Sequence, residues 1–217
     1  MTYTGAVQPG GPSDVRELPG LTITKLSVGP MDNNAYLLEC PESGELLLVD
    51  AANEPERLLE LLGGRALARI VTTHRHKDHW EGLAAVVAAT EARTHAGRED
   101  VVGIPVATDE PLDDGAVVPV GAAQLRVITL VGHTPGSVAL VYDDPAGYQH
   151  LFTGDSLFPG GPGRTTRPED FTSLMNDLEE KIFGTLPDDT WFYPGHGNDS
   201  TLGAERPALS EWRARGW

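Results

Sequence analysis

The stretch Thr73-His74-Arg75-His76-Lys77-Asp78-His79 carries four side chains that can bind a metal within six positions. His74 and His76 alternate around Arg75, so both imidazoles face the same side of an extended segment. Asp78 and His79 follow where the chain turns. Neutral imidazole and carboxylate are ligands that Zn²⁺, Fe²⁺ and Mn²⁺ accept. The stretch therefore predicts a metal site with nearly enough ligands to start two.

The flanking residues place this stretch in a loop between a strand and a helix. Before it, Ile70, Val71 and Thr72 concentrate β-branched side chains, which is typical of a strand. After it, apolar residues recur at helical spacing, namely Trp80, Leu83, Ala84, Val87 and Ala88. Strand-to-helix loops are the usual place for ligands in an α/β fold.

Three further segments each place one potential ligand at a strand end, next to a glycine that permits close backbone approach. They are Gly132-His133-Thr134-Pro135-Gly136, Gly154-Asp155 and Pro194-Gly195-His196-Gly197. Any one of these ligands alone could be an ordinary loop or turn residue. Together with the first cluster they form a consistent set.

These four motifs resemble those of the metallo-β-lactamase-fold hydrolases, and most of all the short, single-domain members of the glyoxalase II branch. The resemblance covers roughly residues 21–206 and implies an α/β fold, a four-layer αββα sandwich with metals at one edge between two sheets. It implies two divalent metal ions, with zinc favoured over iron or manganese. It assigns His74, His76 and His133 to the first ion, Asp78, His79 and His196 to the second, and Asp155 to both.

Composition predicts one domain without a membrane or nucleic-acid partner. The 217 residues are 40% hydrophobic, enough for a substantial core. Residues 1–20 are mostly polar with several Pro and Gly, so we interpret them as a mobile arm or an edge extension, before a metallo-β-lactamase-fold domain over residues 21–217. The net charge of −16 would repel phosphate backbones. The sequence does not indicate an oligomeric state.

The start of the chain does not resemble a secretory signal, and no stretch is long enough to cross a membrane. The single Cys40 cannot form an internal disulfide and is interpreted as structural. We therefore expect a cytoplasmic protein.

Two further helices are predicted. Asn53 and Glu56 fit a capping box around Pro55. An amphipathic pattern that begins at Phe171 predicts a second helix, which Gly184 ends.

Three other polar residues receive structural interpretations. Asp50 ends an apolar strand and matches an acidic position of the family, so it would support the ligands, with a capping or turn role equally open. His95 follows Arg93-Thr94 at a predicted strand end and is interpreted as structural, and His150 is interpreted as a hairpin residue ahead of the strand at Leu151-Phe152.

Two adjacent ions predict hydrolysis, because a water between them loses a proton near neutral pH. The metal-bound hydroxide would attack an acyl carbonyl, with Asp78 and Asp155 as the catalytic residues that orient it. A thiolate leaves without a strong acid, since thiol pKa values lie near ~8.5. The hypothesis is hydrolysis of a small-molecule thiol ester such as S-lactoylglutathione. Arg164 is the candidate for binding a substrate carboxylate, or else it ties its own loop to an acidic residue.

The resemblance leaves other functions open. Persulfide dioxygenases of this fold hold one iron through two His and one Asp, and Gly163-Arg164-Thr165 resembles their substrate-binding segment, although Thr166 replaces a common acidic residue. A non-enzymatic domain would not need seven ligands, and Asp155 follows the hydrolase pattern rather than that of a β-lactamase. Long glyoxalase II enzymes add a helical glutathione-binding domain, but only residues 197–217 follow His196. We therefore expect a differently held thiol, another thiol or a different substrate.

Overall fold

Two β-sheets packed face to face form the centre of the computed structural model, which describes residues 2–216. The strands of the first sheet, in chain order and in spatial order, are β1 (Asp14–Glu17), β2 (Thr22–Val28), β3 (Asn33–Glu39), β4 (Leu46–Val49), β5 (Leu67–Thr72), β6 (Arg93–Gly97) and β7 (Glu110–Leu112). Strands β1 to β4 are antiparallel, and β4 to β7 are parallel.

The second sheet is built from the later part of the chain. Its strands are β8 (Val117–Val120), β9 (Ala123–Thr129), β10 (Val138–Asp143), β11 (Gln149–Gly154), β14 (Trp191–Pro194) and β15 (Ser200–Thr201), and a separate hairpin joins β12 (Leu157–Phe158) to β13 (Gly161–Pro162). The spatial order is β15-β14-β11-β10-β9-β8, and only β11 and β14 pair in parallel.

Helices cover the outer face of each sheet. They are α1 (Pro55–Leu62), α2 (Leu83–Thr90), α3 (Pro168–Asp177), α4 (Leu202–Glu205) and α5 (Leu209–Arg215). A π-helical segment, Leu178–Phe183, continues α3, and 3₁₀ turns span Lys77–His79, Arg98–Gly103 and Arg206–Ala208. No helix within residues 2–216 has both the length and the apolar character needed to cross a bilayer.

Three hydrophobic cores separate the layers. Leu47 and Val49 of β4 point into the core between the sheets, whereas Leu46 and Leu48 point into the core beneath α1 and α2. A third core holds the second sheet against α3 and α5. Full burial of one such leucine contributes roughly 1.5–3 kcal/mol to stability. Because β4 is buried on both faces, its sequence is apolar at every position instead of alternating. The predicted four-layer αββα fold is confirmed.

The start of α1 differs from the prediction. The capping box is wrong, because Glu54 is the residue that precedes the helix, with φ 46° and no side-chain cap. This left-handed turn leads directly into Pro55, and the Asn53 side chain accepts a hydrogen bond from the Glu54 amide instead of from the helix. The helix predicted from Phe171 to Gly184 forms as α3 and its π-helical continuation.

Strand pairing includes two segments that the sequence did not place in strands. Of the two possibilities for residues 1–20, Asp14–Glu17 is an edge extension, because it pairs with β2. The prediction that His150 precedes its strand is wrong. The pairing of β10 with β11 already begins opposite Asp143, so His150 lies within β11 and is buried opposite Tyr142.

Candidate metal centre

The loops that carry the predicted ligands meet at one edge of the sandwich. They follow β5 in the first sheet and β9, β11 and β14 in the second. Backbone hydrogen bonds join the sheets there: the Val138 amide donates to the Thr73 carbonyl at 2.9 Å, and the Asn34 amide donates to the Gly195 carbonyl at 2.7 Å. These backbone hydrogen bonds hold the two sheets together at this edge without help from side chains.

Three histidines form a first cluster. The His74 Nε2 and His76 Nδ1 atoms are 3.1 Å apart, and the Nε2 atoms of His74 and His133 are 3.3 Å apart. Two nitrogens bound to one tetrahedral zinc at about 2.0–2.1 Å lie about 3.3–3.4 Å from each other. The spacing of the three rings fits one cation.

A second cluster faces the first. The Nε2 atoms of His79 and His196 are 3.3 Å apart, and Asp78 Oδ2 lies 3.5 Å and 3.3 Å from them. Asp78 and His79 lie on the 3₁₀ turn that precedes α2. This tight turn places two adjacent residues in the same cluster.

Asp155 lies between the clusters. Its Oδ2 atom is 3.7 Å from His133 Nε2 and 3.4 Å from His196 Nε2, and its Oδ1 atom is 3.3 Å from His79 Nε2. Gly195 makes room for it, because a Cβ there would lie 2.1 Å from Asp155 Oδ1. One carboxylate can therefore serve both clusters.

The outward nitrogens of four rings are fixed by hydrogen-bond acceptors. His79 Nδ1 lies 2.8 Å from Asp50 Oδ2, and His74 Nδ1 lies 3.1 Å from the Thr73 hydroxyl, which itself donates to Asp50. His133 Nδ1 is 2.7 Å from the Arg164 carbonyl, and His196 Nδ1 is 2.9 Å from the Met31 carbonyl. An Nδ1–H that donates outward leaves the Nε2 lone pair directed at the centre, as metal binding requires.

The charges of the site favour a cation. Burial opposes ionisation of Asp155, but His79 and His196 hold the pKa of its carboxyl well below the usual value. A hydrogen bond from His196 lowers the pKa of Asp78. Burial disfavours charge on His196, but Asp155 and Asp78 raise its pKa to about 10. Both carboxylates are therefore ionised at neutral pH and attract positive charge, which protons or metal ions can supply.

The residues fit a pair of divalent cations. Within residues 2–216, the groups that could hold an ion are His74-His76-His133, His74-His79-Asp155 and Asp78-His79-His196. Among the described residues, the buried Asp155 Oδ1 atom accepts no hydrogen bond of good geometry. A buried carboxylate oxygen without such a bond is costly unless an ion binds it. All seven predicted ligands are brought together.

The other predicted residues take different places. Asp50 contacts His79, as a supporting role predicts. Arg164 is exposed on the loop after β13, and its carbonyl orients His133. His95 and Cys40 are both buried, and neither belongs to the metal-binding groups of the described chain.

The sequence did not indicate two residues whose hydrogen bonds hold the candidate ligands or their loops. Asn33 donates from Nδ2 to Asp78 Oδ2 at 2.9 Å across 45 positions of sequence. The buried Asp100 accepts hydrogen bonds from the Arg75 and Gly136 amides, so it joins the loops of His76 and His133. Neither belongs to a ligand motif. The polar pair Asn33-Asn34 at the start of an otherwise apolar strand was the one available signal.

Comparison with known proteins identifies the family. Residues 28–196 match the metallo-beta-lactamase superfamily. The chain belongs to this superfamily. A hydroxyacylglutathione hydrolase from Polaromonas sp. is 35% identical over 171 residues, which cover 76% of this chain and 62% of that protein. The chain thus spans less than two thirds of the length of this relative.

Solved structures of superfamily proteins have the same fold. TTHA1623, solved in a di-iron-bound form, is 32% identical with a TM-score of 0.70, and the match covers 84% of this chain and 96% of that one. The B3 metallo-beta-lactamase BLEG-1 is 29% identical with a TM-score of 0.74, over 85% of this chain and 96% of that one.

Proposed function

We propose that this superfamily member is a thioester hydrolase that releases a low-molecular-weight thiol, as from S-lactoylglutathione. The observation that carries this proposal is the Asp155 carboxylate set between two ligand clusters. The similarity to a hydroxyacylglutathione hydrolase supports the substrate class. One ion would bind His74, His76, His133 and Asp155, and the other Asp78, His79, His196 and Asp155. Zinc is the proposed metal, because at a given His and Asp site it binds more tightly than Fe²⁺ or Mn²⁺.

The chain's own residues bind, orient and shield the reactants. Two divalent ions, when bound, supply an acidified water and positive charge for the developing oxyanion. Asn33 fixes the Asp78 carboxylate, which is ionised and accepts a hydrogen bond from the attacking water. His74 and His79 are fully buried, so this side of the site is closed to solvent. A thiolate with a pKa near ~8.5 then leaves without a general acid.

The second cluster favours this function over a mononuclear-iron persulfide dioxygenase. An enzyme with one iron held by two His and one Asp would not need the complete set Asp78, His79 and His196. Here these three side chains present their ligand atoms within 4.8 Å of one another. The number of bound metal ions and the product formed therefore distinguish thioester hydrolysis from persulfide oxidation.

The proposal is tested by thiol release from S-lactoylglutathione with zinc-loaded protein and an Asp78→Asn variant. Without metal, the variant should keep the wild-type melting temperature, since Asp78 is partly exposed. With zinc, it should lose about 10²- to 10³-fold in kcat, the order of loss found when one polar group of a catalytic site is removed. Asp113→Asn, a surface carboxylate paired with Arg98, is the control and should keep full activity.

Three results would contradict the proposal. They are near-normal turnover by Asp78→Asn with its metals intact, oxygen uptake with glutathione persulfide in place of thioester cleavage, and preferential hydrolysis of a chromogenic β-lactam.

A further inference from the structure

A cavity of about 340 Å³ opens beside the first histidine cluster. His76 and His133 form one wall, Arg75 and Arg167 contribute cationic side chains, and Val131 and Pro135 contribute apolar surface. A molecule whose reactive group contacts the histidine cluster would place its remainder here.

Neighbouring carboxylates form hydrogen bonds with the guanidinium of Arg167 but lie farther from that of Arg75. Arg167 donates to Asp170 from Nε and from a terminal nitrogen, at 2.9 Å and 2.8 Å, and also lies 3.4 Å from Glu169. Arg75 Nε is 3.8 Å from Asp100 Oδ1, beyond hydrogen-bond distance. Asp170 therefore occupies the fork of Arg167, whereas Arg75 keeps donors for a ligand.

The chain holds Arg75 in place before any ligand binds. Its amide donates to Asp100 at 3.0 Å, and its carbonyl accepts a hydrogen bond from Trp80 Nε1 at 2.8 Å. Its side-chain stem lies against Gly103, where a Cβ would come within 2.7 Å of Arg75 Cδ. A long side chain fixed in this way loses little further entropy on binding, which increases affinity.

We infer that Arg75 is a specificity residue that binds a carboxylate on the thiol part of the substrate, within this cavity. The inference rests on the proposed thioester hydrolysis for the nature of the ligand. Such a contact would bind the thiol part of the substrate within the superfamily domain itself. It also differs from the sequence-based prediction for Arg164, which does not line this cavity.

The test compares S-lactoylglutathione with the same thioester whose two carboxylates are converted to primary amides. The two probes have nearly equal size and the same reacting carbonyl. For wild type, kcat/KM should be at least about tenfold higher for the carboxylate probe, the contribution expected of one charge-assisted contact. In Arg75→Gln this preference should disappear through KM, with kcat on the carboxylate probe nearly retained.

Matched variants separate binding from folding. Arg75→Lys keeps the charge without the fork and should keep part of the preference. Arg213→Gln removes an arginine of α5 with the same exposure, 39%, from its ion pair with Glu179, and should keep all of the preference. Melting temperature and bound metal are measured for each variant.

Calorimetry with the unreactive thioethers S-propylglutathione and its diamide separates this inference from the proposed function. The protein could fail to hydrolyse both thioesters and still bind the carboxylate thioether more tightly than its diamide, through Arg75. That result would overturn the hydrolase proposal but not the inference about Arg75. Equal effects of Arg75→Gln on both probes would overturn the inference. Loss of the preference in Arg164→Ala but not in Arg75→Gln would also overturn it and would support Arg164.

Discussion

Buried histidines in this chain differ in what faces their nitrogens. Those of the metal centre have an acceptor behind one nitrogen and other ligands in front of the second. The Nδ1 atom of His150 lies 3.0 Å from Tyr193 Oη. Its Nε2 atom lies 3.9 Å from Asp144 and makes no hydrogen bond within the described chain. Partner geometry, more than burial, therefore distinguishes a ligand histidine from a structural one.

His150 should make the fold sensitive to acid. Burial, with a smaller effect of Arg16, lowers its pKa to about 4, against about 6.5 in an unfolded chain. Between these values the unfolded chain binds more protons, so this contribution to stability is complete above about pH 6.5 and is lost as pH falls towards 4. The fall in unfolding free energy from pH 7 to pH 5 should be about 1–2 kcal/mol smaller in His150→Gln.

Urea unfolding of the metal-free proteins measures this difference, since acid would otherwise also remove metal ions. Other groups titrate equally in both proteins and cancel in the comparison. An unchanged pH dependence in His150→Gln would show that the histidine is not the sensitive group.

The sequence indicated the side chains that cluster at the candidate metal centre better than the residues that orient them. His74, His76 and Asp78 lie within one local motif, so their types and spacing already indicate chemistry. Asn33 and the carbonyl of Met31 reach the site from a distant strand and turn. Such contacts depend on how the sheets pack, and no short-range pattern records them.

At the scale of elements, the loop after β14 is held from the first sheet. The Lys25 ammonium donates to the Gly197 carbonyl at 2.7 Å, to the Gly5 carbonyl at 2.7 Å and to Asp199 at 2.6 Å. Asn34 donates to the Gly197 carbonyl at 2.9 Å. The bonds to Gly197 and Asp199 hold the residues that directly follow His196, so they fix the loop that presents it.

Lys25→Met should weaken both the fold and the second cluster. Both side chains of the Lys25–Asp199 pair are fully buried, and leaving one buried charge unpaired costs about 3–5 kcal/mol. Because the loop of His196 loses its anchor at Gly197, affinity for the second ion should fall more than affinity for the first. Chemical unfolding and metal titration by calorimetry measure the two effects.

The control is Arg93→Met, which breaks the exposed pair with Glu110 and should cost no more than about 1 kcal/mol. An equally small loss in Lys25→Met, with both ions still bound as in wild type, would contradict a role for Lys25 in holding the loop.

The pattern of apolar and β-branched residues predicted which segments are helices or strands, but it did not predict where they begin. The period of apolar residues predicted the helix from Phe171, and β-branched residues predicted the strand before His74. The capping box failed because a left-handed residue, Glu54, intervenes. Strand β1 was not predicted as a strand, because its short sequence at Asp14–Glu17 gains stability only by pairing with β2.

At the scale of the whole molecule, the metal centre depends on both sheets. His74, His76, Asp78 and His79 follow a strand of the first sheet, and His133, Asp155 and His196 follow strands of the second. Ions bound there would connect the two halves of the sandwich. The packing of the two inner faces positions the candidate ligands, which is why the motifs that predict the fold also predict which side chains cluster there.

A metal titration of activity tests whether the site hydrolyses a thioester with two bound ions. Metal-free protein receives zinc in increments, and the initial rate of thiol release from S-lactoylglutathione is measured after each addition. We predict a rate that rises until two zinc ions are bound per chain and then stays constant, because Asp78 and His196 belong to the second cluster. A plateau at one ion per chain would show that one ion is enough, and full metal loading without thiol release would show that the protein is not a thioester hydrolase.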